Sequence, residues 1–296
     1  MSRQTARDLM ETAYYSHYCV GAFNITNLIQ MEAVIDAAIR KQSPVMIQTS
    51  VTPARFLRPE VLAGIYEILA HDAGVPVALQ LDHCRDVNLC KLCIDSGYSS
   101  VMFDGSSFPW EENIALTREV ADYAHAKGTC SVEGELGLVG GVEDDISVDD
   151  DASHLCPPER VVEFVERTRI DTMAPAIGTA HGVYKTDNPN IDLERFEAVE
   201  KRLNGRRLVA PLVVHGGTGL SESIVKKLVA LRAATFNVST ELKHVLLDTT
   251  ARYLEDHPNE YNPGAVDREV HSAVKNCVAA WMDKLGSAGK ADERHK

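Results

Sequence analysis

No apolar run in this 296-residue chain approaches the ~18 residues that a membrane-spanning helix needs. The first ten residues are polar and charged, unlike a secretory leader, so the expected location is the cytoplasm, with no membrane contact. Positive charge is in deficit: 30 Lys and Arg stand against 43 Asp and Glu, a net charge of −13. That balance excludes non-specific nucleic-acid binding, which needs a basic face. The seven cysteines, an odd number, suit a reducing compartment better than a disulfide framework. No internal repeat, linker or domain boundary interrupts the chain. An anionic substrate would meet a repulsive overall field. Local features would have to hold it: backbone N–H groups, helix N-termini, one or two lysines, or a metal.

Eight short apolar runs are present, at 19–25, 45–49, 75–81, 100–103, 129–135, 172–177, 212–214 and 233–238. Helical periodicity fills most gaps between them. Leu28, Met31, Val34, Ile35 and Ala38 repeat at three- and four-residue spacing, as do Ile114, Val120 and Ala121. A further helix is expected at 159–167, after Pro157 and Pro158. Eight strands alternating with helices predict a (β/α)8 TIM barrel, a single α/β domain spanning 1–296. Alternation alone also allows a doubly wound sheet, but polar residues recur at the C-terminal ends of nearly every strand, all along the sequence, and a barrel brings those ends together on one face. The acidic, glycine-rich stretch at about 138–158 reads as a mobile loop over that face. The segment from Gly286 to Lys296 reads as a flexible tail.

Three of the eleven histidines stand near strand ends beside small or acidic residues: His83, His181 and His215. Three neutral imidazoles from separate strands leave a metal with an open position, the arrangement of a catalytic zinc site. Asp82 adjoins the first and is placed to act as a general acid or base. Asp104 and Glu135 end two further strands, either as groups that orient metal ligands or as a second cation site; Glu133, two residues from Glu135, shares its side. Gly216, Gly217 and Thr218 after the seventh strand, and Asn237, Ser239 and Thr240 after the eighth, occupy the usual phosphate position of a barrel. Lys185, four residues past His181, offers a point charge. Cys84, Cys90 and Cys93 could form a thiolate cluster with His83, but Leu89, Leu92 and Ile94 put the latter two in an apolar helix as buried thiols.

The chain resembles the class II, metal-dependent ketose-bisphosphate aldolases. The likeness is carried by Ala22-Phe23-Asn24-Ile25, Leu81-Asp82-His83-Cys84, Ser131-Val132-Glu133-Gly134-Glu135-Leu136-Gly137, Gly140-Gly141-Val142-Glu143-Asp144, Gly178-Thr179-Ala180-His181-Gly182, His215-Gly216-Gly217 and Asn237-Val238-Ser239-Thr240-Glu241. These stand in the family's order from about Thr5 to Ala291. The resemblance implies Zn2+ on His83, His181 and His215. It implies that Asp82 moves the proton of the C4 hydroxyl and that Glu143 exchanges the C1 proton of dihydroxyacetone phosphate. It also implies a second divalent cation at Asp104 and Glu135. Gly182, Lys185, Gly216, Thr218, Asn237, Ser239 and Thr240 match phosphate-binding positions, some with a monovalent cation, Na+ or K+. Asn24 and Ser50 match substrate contacts, and a homodimer or homotetramer is implied. The substrate implied is a phosphorylated ketose of the fructose or tagatose bisphosphate kind. In four places the chain departs from the pattern: Gly264 stands where the family often has a phosphate-binding arginine, Thr235 replaces a lysine, Gln80 a histidine, and Val142 an acid. The alternatives are a non-catalytic barrel partner of an aldolase, or a metal lyase with another donor. The former needs neither the histidines nor Asp82 and Glu143; two phosphate loops weigh against the latter.

Overall fold

The computed structural model describes residues 3–293 except 144–145, 149–153, 183, 185–188, 206 and 208, with backbone alone at 142–143 and 146–148. Eight parallel strands close into a barrel: β1 (Val20–Asn24), β2 (Val45–Thr49), β3 (Val77–Cys84), β4 (Ser100–Phe103), β5 (Ser131–Leu136), β8 (Thr172–Pro175), β10 (Leu212–Val214) and β11 (Ala233–Val238). Three more, β6 (Gly140–Glu143), β7 (Ile146–Val148) and β9 (Ala180–His181), form a separate sheet in the order β7-β6-β9. The helices are α1 (Ala6–Ser16), α2 (Leu28–Lys41), α3 (Val51–Leu57), α4 (Pro59–His71), α5 (Val87–Ser96), α6 (Trp110–Lys127), α7 (Val161–Thr168), α8 (Leu193–Asn204), α9 (Glu222–Ala230), α10 (Thr240–Asp256) and α11 (Pro263–Leu285). All eight expected strands are barrel strands. The expected helix at 159–167 is α7, entered through a single 3-10 turn, Pro158–Arg160, with Pro158 in the first turn, where its missing N–H is tolerated. No helix among the described residues is long and apolar enough to cross a membrane.

The barrel interior changes character along its axis. At the N-terminal end Val20, Ala22, Met46, Ala78, Ala174, Val213 and Ala234 are small or apolar and pack against Leu9, Met10 and Ala13 of α1. Helix α1 thus plugs the bottom of the barrel. It is started by a capping box, in which the Thr5 side chain accepts from Asp8 N–H and Asp8 accepts from Thr5 N–H. Toward the C-terminal end the same period-2 rows turn polar: Val20 and Ala22 lead to Asn24, Met46 to Gln48, and Ala78 to Gln80 and Asp82. The outer helices bury the large side chains, among them Phe23, Phe103, Phe164, Phe196 and Phe236.

Past α11 the chain folds back onto α2. Gly289 N–H donates to Lys41 O and Ala291 N–H to Gln42 O, both at 2.9 Å, in the segment expected to fray. All seven cysteines are free thiols and six are buried. Met10→Ala should lower stability by about 2–5 kcal/mol, the usual cost of emptying a packed core site. Chemical denaturation checks this, with metal uptake unchanged because the plug lies at the opposite end of the barrel from the histidines.

Candidate active site

At the top of β3 the strand makes room for two functional side chains in succession. Against β4 the register runs Leu81↔Val101 and then Cys84↔Phe103, so Asp82 and His83 together oppose Met102. This is a bulge with one extra residue, and His83 adopts φ 46°, the left-handed region. Strand alternation would point Asp82 and His83 to opposite faces. The bulge lets both turn into the barrel mouth, where they are 1% and 8% exposed.

His215 follows β10 directly. His181 does not end a barrel strand as expected: it lies six residues past the end of β8, in β9 of the small sheet. What holds it is β6, where Gly141 pairs with His181. A Cβ at Gly141 would run into the His181 backbone, and Gly141 has φ 93°, so only glycine lets β6 lie there. The acidic stretch is therefore partly a β6–β7 hairpin, tied to the third histidine. The side chain of Glu143 and all of Lys185 lie outside the described residues.

The three imidazoles converge. Ring centroids are 4.5 Å apart for His83 and His215, 4.7 Å for His83 and His181, and 6.0 Å for His181 and His215. One nitrogen from each lies within 4.8 Å of the others. Each buried ring has one nitrogen facing a carboxylate. His215 Nε2 is 3.0 Å from Glu133 Oε1, and His83 Nδ1 is 3.4 Å from Asp104 Oδ2. A carboxylate accepts, so these partners assign the N–H to those positions. The remaining nitrogens, His83 Nε2 and His215 Nδ1, then present lone pairs to one another across 2.6 Å. Only a cation or a proton between them makes that contact favourable. Glu135 Oε2 lies beside the pair, 3.8 Å from His215 Nδ1 and 4.0 Å from His83 Nδ1, and is buried without a hydrogen-bond donor among the described residues. The donor set fits a divalent ion such as zinc.

A buried amide chain supports the cluster. Gln48 Nε2 donates to Gln80 Oε1 at 3.2 Å, and Gln80 Nε2 donates to Glu133 Oε2 at 2.9 Å. Glu133 is thereby held for His215, a role the sequence reading did not give it, having placed it only on the side of Glu135. Asp82 is held from the other side: Asn24 Nδ2 donates to it at 2.8 Å and Asn237 Nδ2 at 3.4 Å. Oδ1 of each asparagine is buried without a partner among the described residues. Ser50 is buried at the start of α3.

Asp82, His181, Gly182, Gly216, Thr218, Asn237, Ser239 and Thr240 line one cleft, with Gly217. Gly216 has φ 69°, and a Cβ there would come within 2.5 Å of Ala180 O. Tyr184, which sequence reasoning missed, locks this corner by donating to Gly216 O at 2.7 Å and accepting from Ala180 N–H at 3.1 Å. The N-terminus of α10 opens into the cleft, so hydroxyls, backbone N–H groups and a helix dipole meet where an anion would sit. Cys84, Cys90 and Cys93 are buried and belong to no metal-binding group among the described residues; burial pushes the Cys93 thiol well up.

Burial, with the Asp104 charge, pushes the Glu135 carboxyl from 4.5 up to about 7, against the pull of His83, His215 and Val139 N–H. Burial also pushes Asp104 up, but the His83 ring, the Ser106 hydroxyl and the Arg85 guanidinium outweigh it and hold Asp104 well below the carboxylate range. For Glu135 in the metal-free chain the folded state binds the proton more tightly than the unfolded. Its stabilising contribution is full below pH 4.5 and is lost as pH rises through about 7. Melting temperature of chelator-treated protein should therefore fall across that window, Glu135→Gln should flatten this component, and added divalent ion should remove it by favouring the carboxylate.

The chain is similar to known proteins over nearly its whole length. The family described as fructose-bisphosphate aldolase class-II matches residues 4–290. A sulfofructosephosphate aldolase of Alkalicoccus urumqiensis is 39% identical over 98% of this chain and 99% of its own. A fructose-bisphosphate aldolase of Geobacillus stearothermophilus is 37% identical with the same coverage. A 6-phospho-5-dehydro-2-deoxy-D-gluconate aldolase of Bacillus velezensis is 37% identical over 98% of both chains. Among solved structures, the YdjI aldolase of Escherichia coli K12 superposes with a TM-score of 0.84 at 32% identity, covering 98% of this chain and 100% of that one. A matched family spanning nearly the whole chain, on a closed eight-stranded barrel with converging histidines, identifies the chain as a member of the class II fructose-bisphosphate aldolase family, and thus as an aldolase, a carbon–carbon lyase.

Proposed function

We propose that the chain reversibly cleaves a phosphorylated ketose into dihydroxyacetone phosphate and an aldehyde, using one zinc ion held by His83, His181 and His215. The observation that carries this reading is the single cleft that joins Asp82 and His181 to the glycine and hydroxyl cradle. A metal-binding half and an anion-binding half lining one cleft suit a short phosphorylated donor. The bound ion would supply Lewis-acid stabilisation of the negative charge that develops on the donor's oxygens.

The chain's own residues do the rest. The cradle of Gly182, Gly216, Thr218, Ser239 and Thr240 holds the donor phosphate at the head of α10, with Lys185 adding charge and a monovalent cation balancing it. Asp82 removes the proton from the C4 hydroxyl in cleavage and returns it in synthesis, held in place by Asn24 and Asn237. Their oxygens, without a partner among the described residues, would with Ser50 meet the substrate hydroxyls. Glu143, on β6 beside His181, moves the C1 proton. The relatives act on fructose bisphosphate, sulfofructose phosphate and a phosphorylated deoxygluconate, so the acceptor end varies within the family. Gly264 in place of an arginine puts this chain's acceptor in the variable class. Helix α10 buries only Leu242 and exposes Leu247 and Leu254, while Tyr261, in the connection to α11, is 88% exposed; this apolar face supports a homo-oligomer. The free thiols support a reducing cytoplasm.

Deuterium exchange at C1 of dihydroxyacetone phosphate in D2O, followed by NMR, tests the half-reaction without knowledge of the acceptor. Exchange is expected, and a chelator should abolish it. Asp82→Ala should retain exchange while losing about 10²–10⁴-fold in cleavage, the usual range for a general acid or base. Glu143→Ala should lose exchange. A folded, zinc-loaded protein that exchanges nothing would overturn the assignment of the donor.

A further inference from the structure

A second buried group lies behind the three histidines. Ligand atoms of His83, Asp104 and Glu135 stand within 4.8 Å of one another, close enough to hold a cation. The surroundings of Asp104 argue otherwise. A carboxylate has about four acceptor positions, and Asp104 has four donors. Oδ1 accepts from Ser106 N–H at 3.1 Å and from the Ser106 hydroxyl. Oδ2 accepts from His83 Nδ1 at 3.4 Å and from Arg85 Nη2 at 3.3 Å.

Arg85 is placed by the same bulge that turns Asp82 and His83 into the barrel mouth. Asp104 N–H donates to Cys84 O at 2.8 Å, and Cys84 pairs with Phe103, so the residue after Cys84 emerges beside Asp104. Its side chain is 31% exposed, yet Nε is buried with no acceptor among the described residues. Burying an unsatisfied donor is costly. The guanidinium accepts that cost because it sits against a buried carboxylate. Among the described residues it is the only Lys or Arg ion-paired with Asp104, Glu133 or Glu135.

We propose that Arg85 is a built-in replacement for a second divalent cation: it neutralises Asp104, frees that carboxylate to orient His83, and limits the chain to one divalent metal ion. Arg85 is a positioning residue in this account, since it acts through Asp104. The proposal rests on the reading that the three histidines hold a metal, and the test separates the two.

The test is equilibrium dialysis of the intact protein against cobalt(II), with metal analysis. Wild type should saturate at one equivalent per chain. Arg85→Ser should take up a second, and the double variant Arg85→Ser with Asp104→Asn should return to one. Electron paramagnetic resonance of manganese-loaded wild type should show isolated ions, a measurement that needs no variant. Two equivalents in wild type, or a spin-coupled manganese pair, would overturn the proposal and leave the histidine site standing. One equivalent in a folded Arg85→Ser would overturn the role of Arg85. No uptake by wild type would overturn the metal reading itself, and this proposal with it.

Discussion

Two imidazole nitrogens 2.6 Å apart, each on a ring whose other nitrogen faces a buried carboxylate, set the terms for the rest of the molecule. The contact is unfavourable unless positive charge lies between the rings. Everything around it serves to make the arrangement rigid: Gln48 and Gln80 hold Glu133, Ser106 and Arg85 hold Asp104, and the barrel holds all of them from different strands. A loop-borne cluster could relax the contact by rotating a side chain. Here each ring is fixed by a strand end, a bulge or a paired backbone, so the site is built in advance of its ion.

The barrel separates stability from chemistry along its axis. Its lower interior is filled by small apolar residues and sealed by α1, which provides packing with no polar group to satisfy. Its upper interior is almost wholly polar and nearly every group there has a partner within the protein. Among the described residues nine buried side-chain atoms lack one, and four of them, Asn24 Oδ1, Asn237 Oδ1, Ser239 Oγ and Glu135 Oε2, border the cleft or the cluster. An unsatisfied group in a native interior calls for an explanation, and at these four a substrate or ion would complete the hydrogen bonding.

Much of this was legible in the sequence, for a physical reason. Strands buried on both faces read as apolar runs, and a barrel puts all their polar ends on one side, so Asp82, His83, Asp104, Glu135, His215 and Asn237 announce the site. What stayed hidden depends on backbone detail. Nothing local to Asp82-His83 reveals a bulge. His181 reads as a strand end because Gly178 to Gly182 looks like a strand exit, whereas pairing with Gly141 places it in a separate sheet. The α1 plug was signalled by Thr5, Asp8 and the row Leu9, Met10 and Ala13, a pattern hard to tell from any amphipathic helix. Gln48 and Gln80 had a signal that could have been read: a polar residue inside an apolar strand, with Gln80 two positions before Asp82, must find a buried partner. Arg85 had none, since an arginine after a strand usually faces solvent.

The central claim is that the three histidines converge on a metal, and anomalous scattering locates it directly. Crystals of protein purified without added chelator, measured on both sides of the zinc absorption edge, should show one strong anomalous peak within bonding distance of His83, His181 and His215. A well-ordered site with no peak there, or a peak elsewhere in the molecule, would contradict the account.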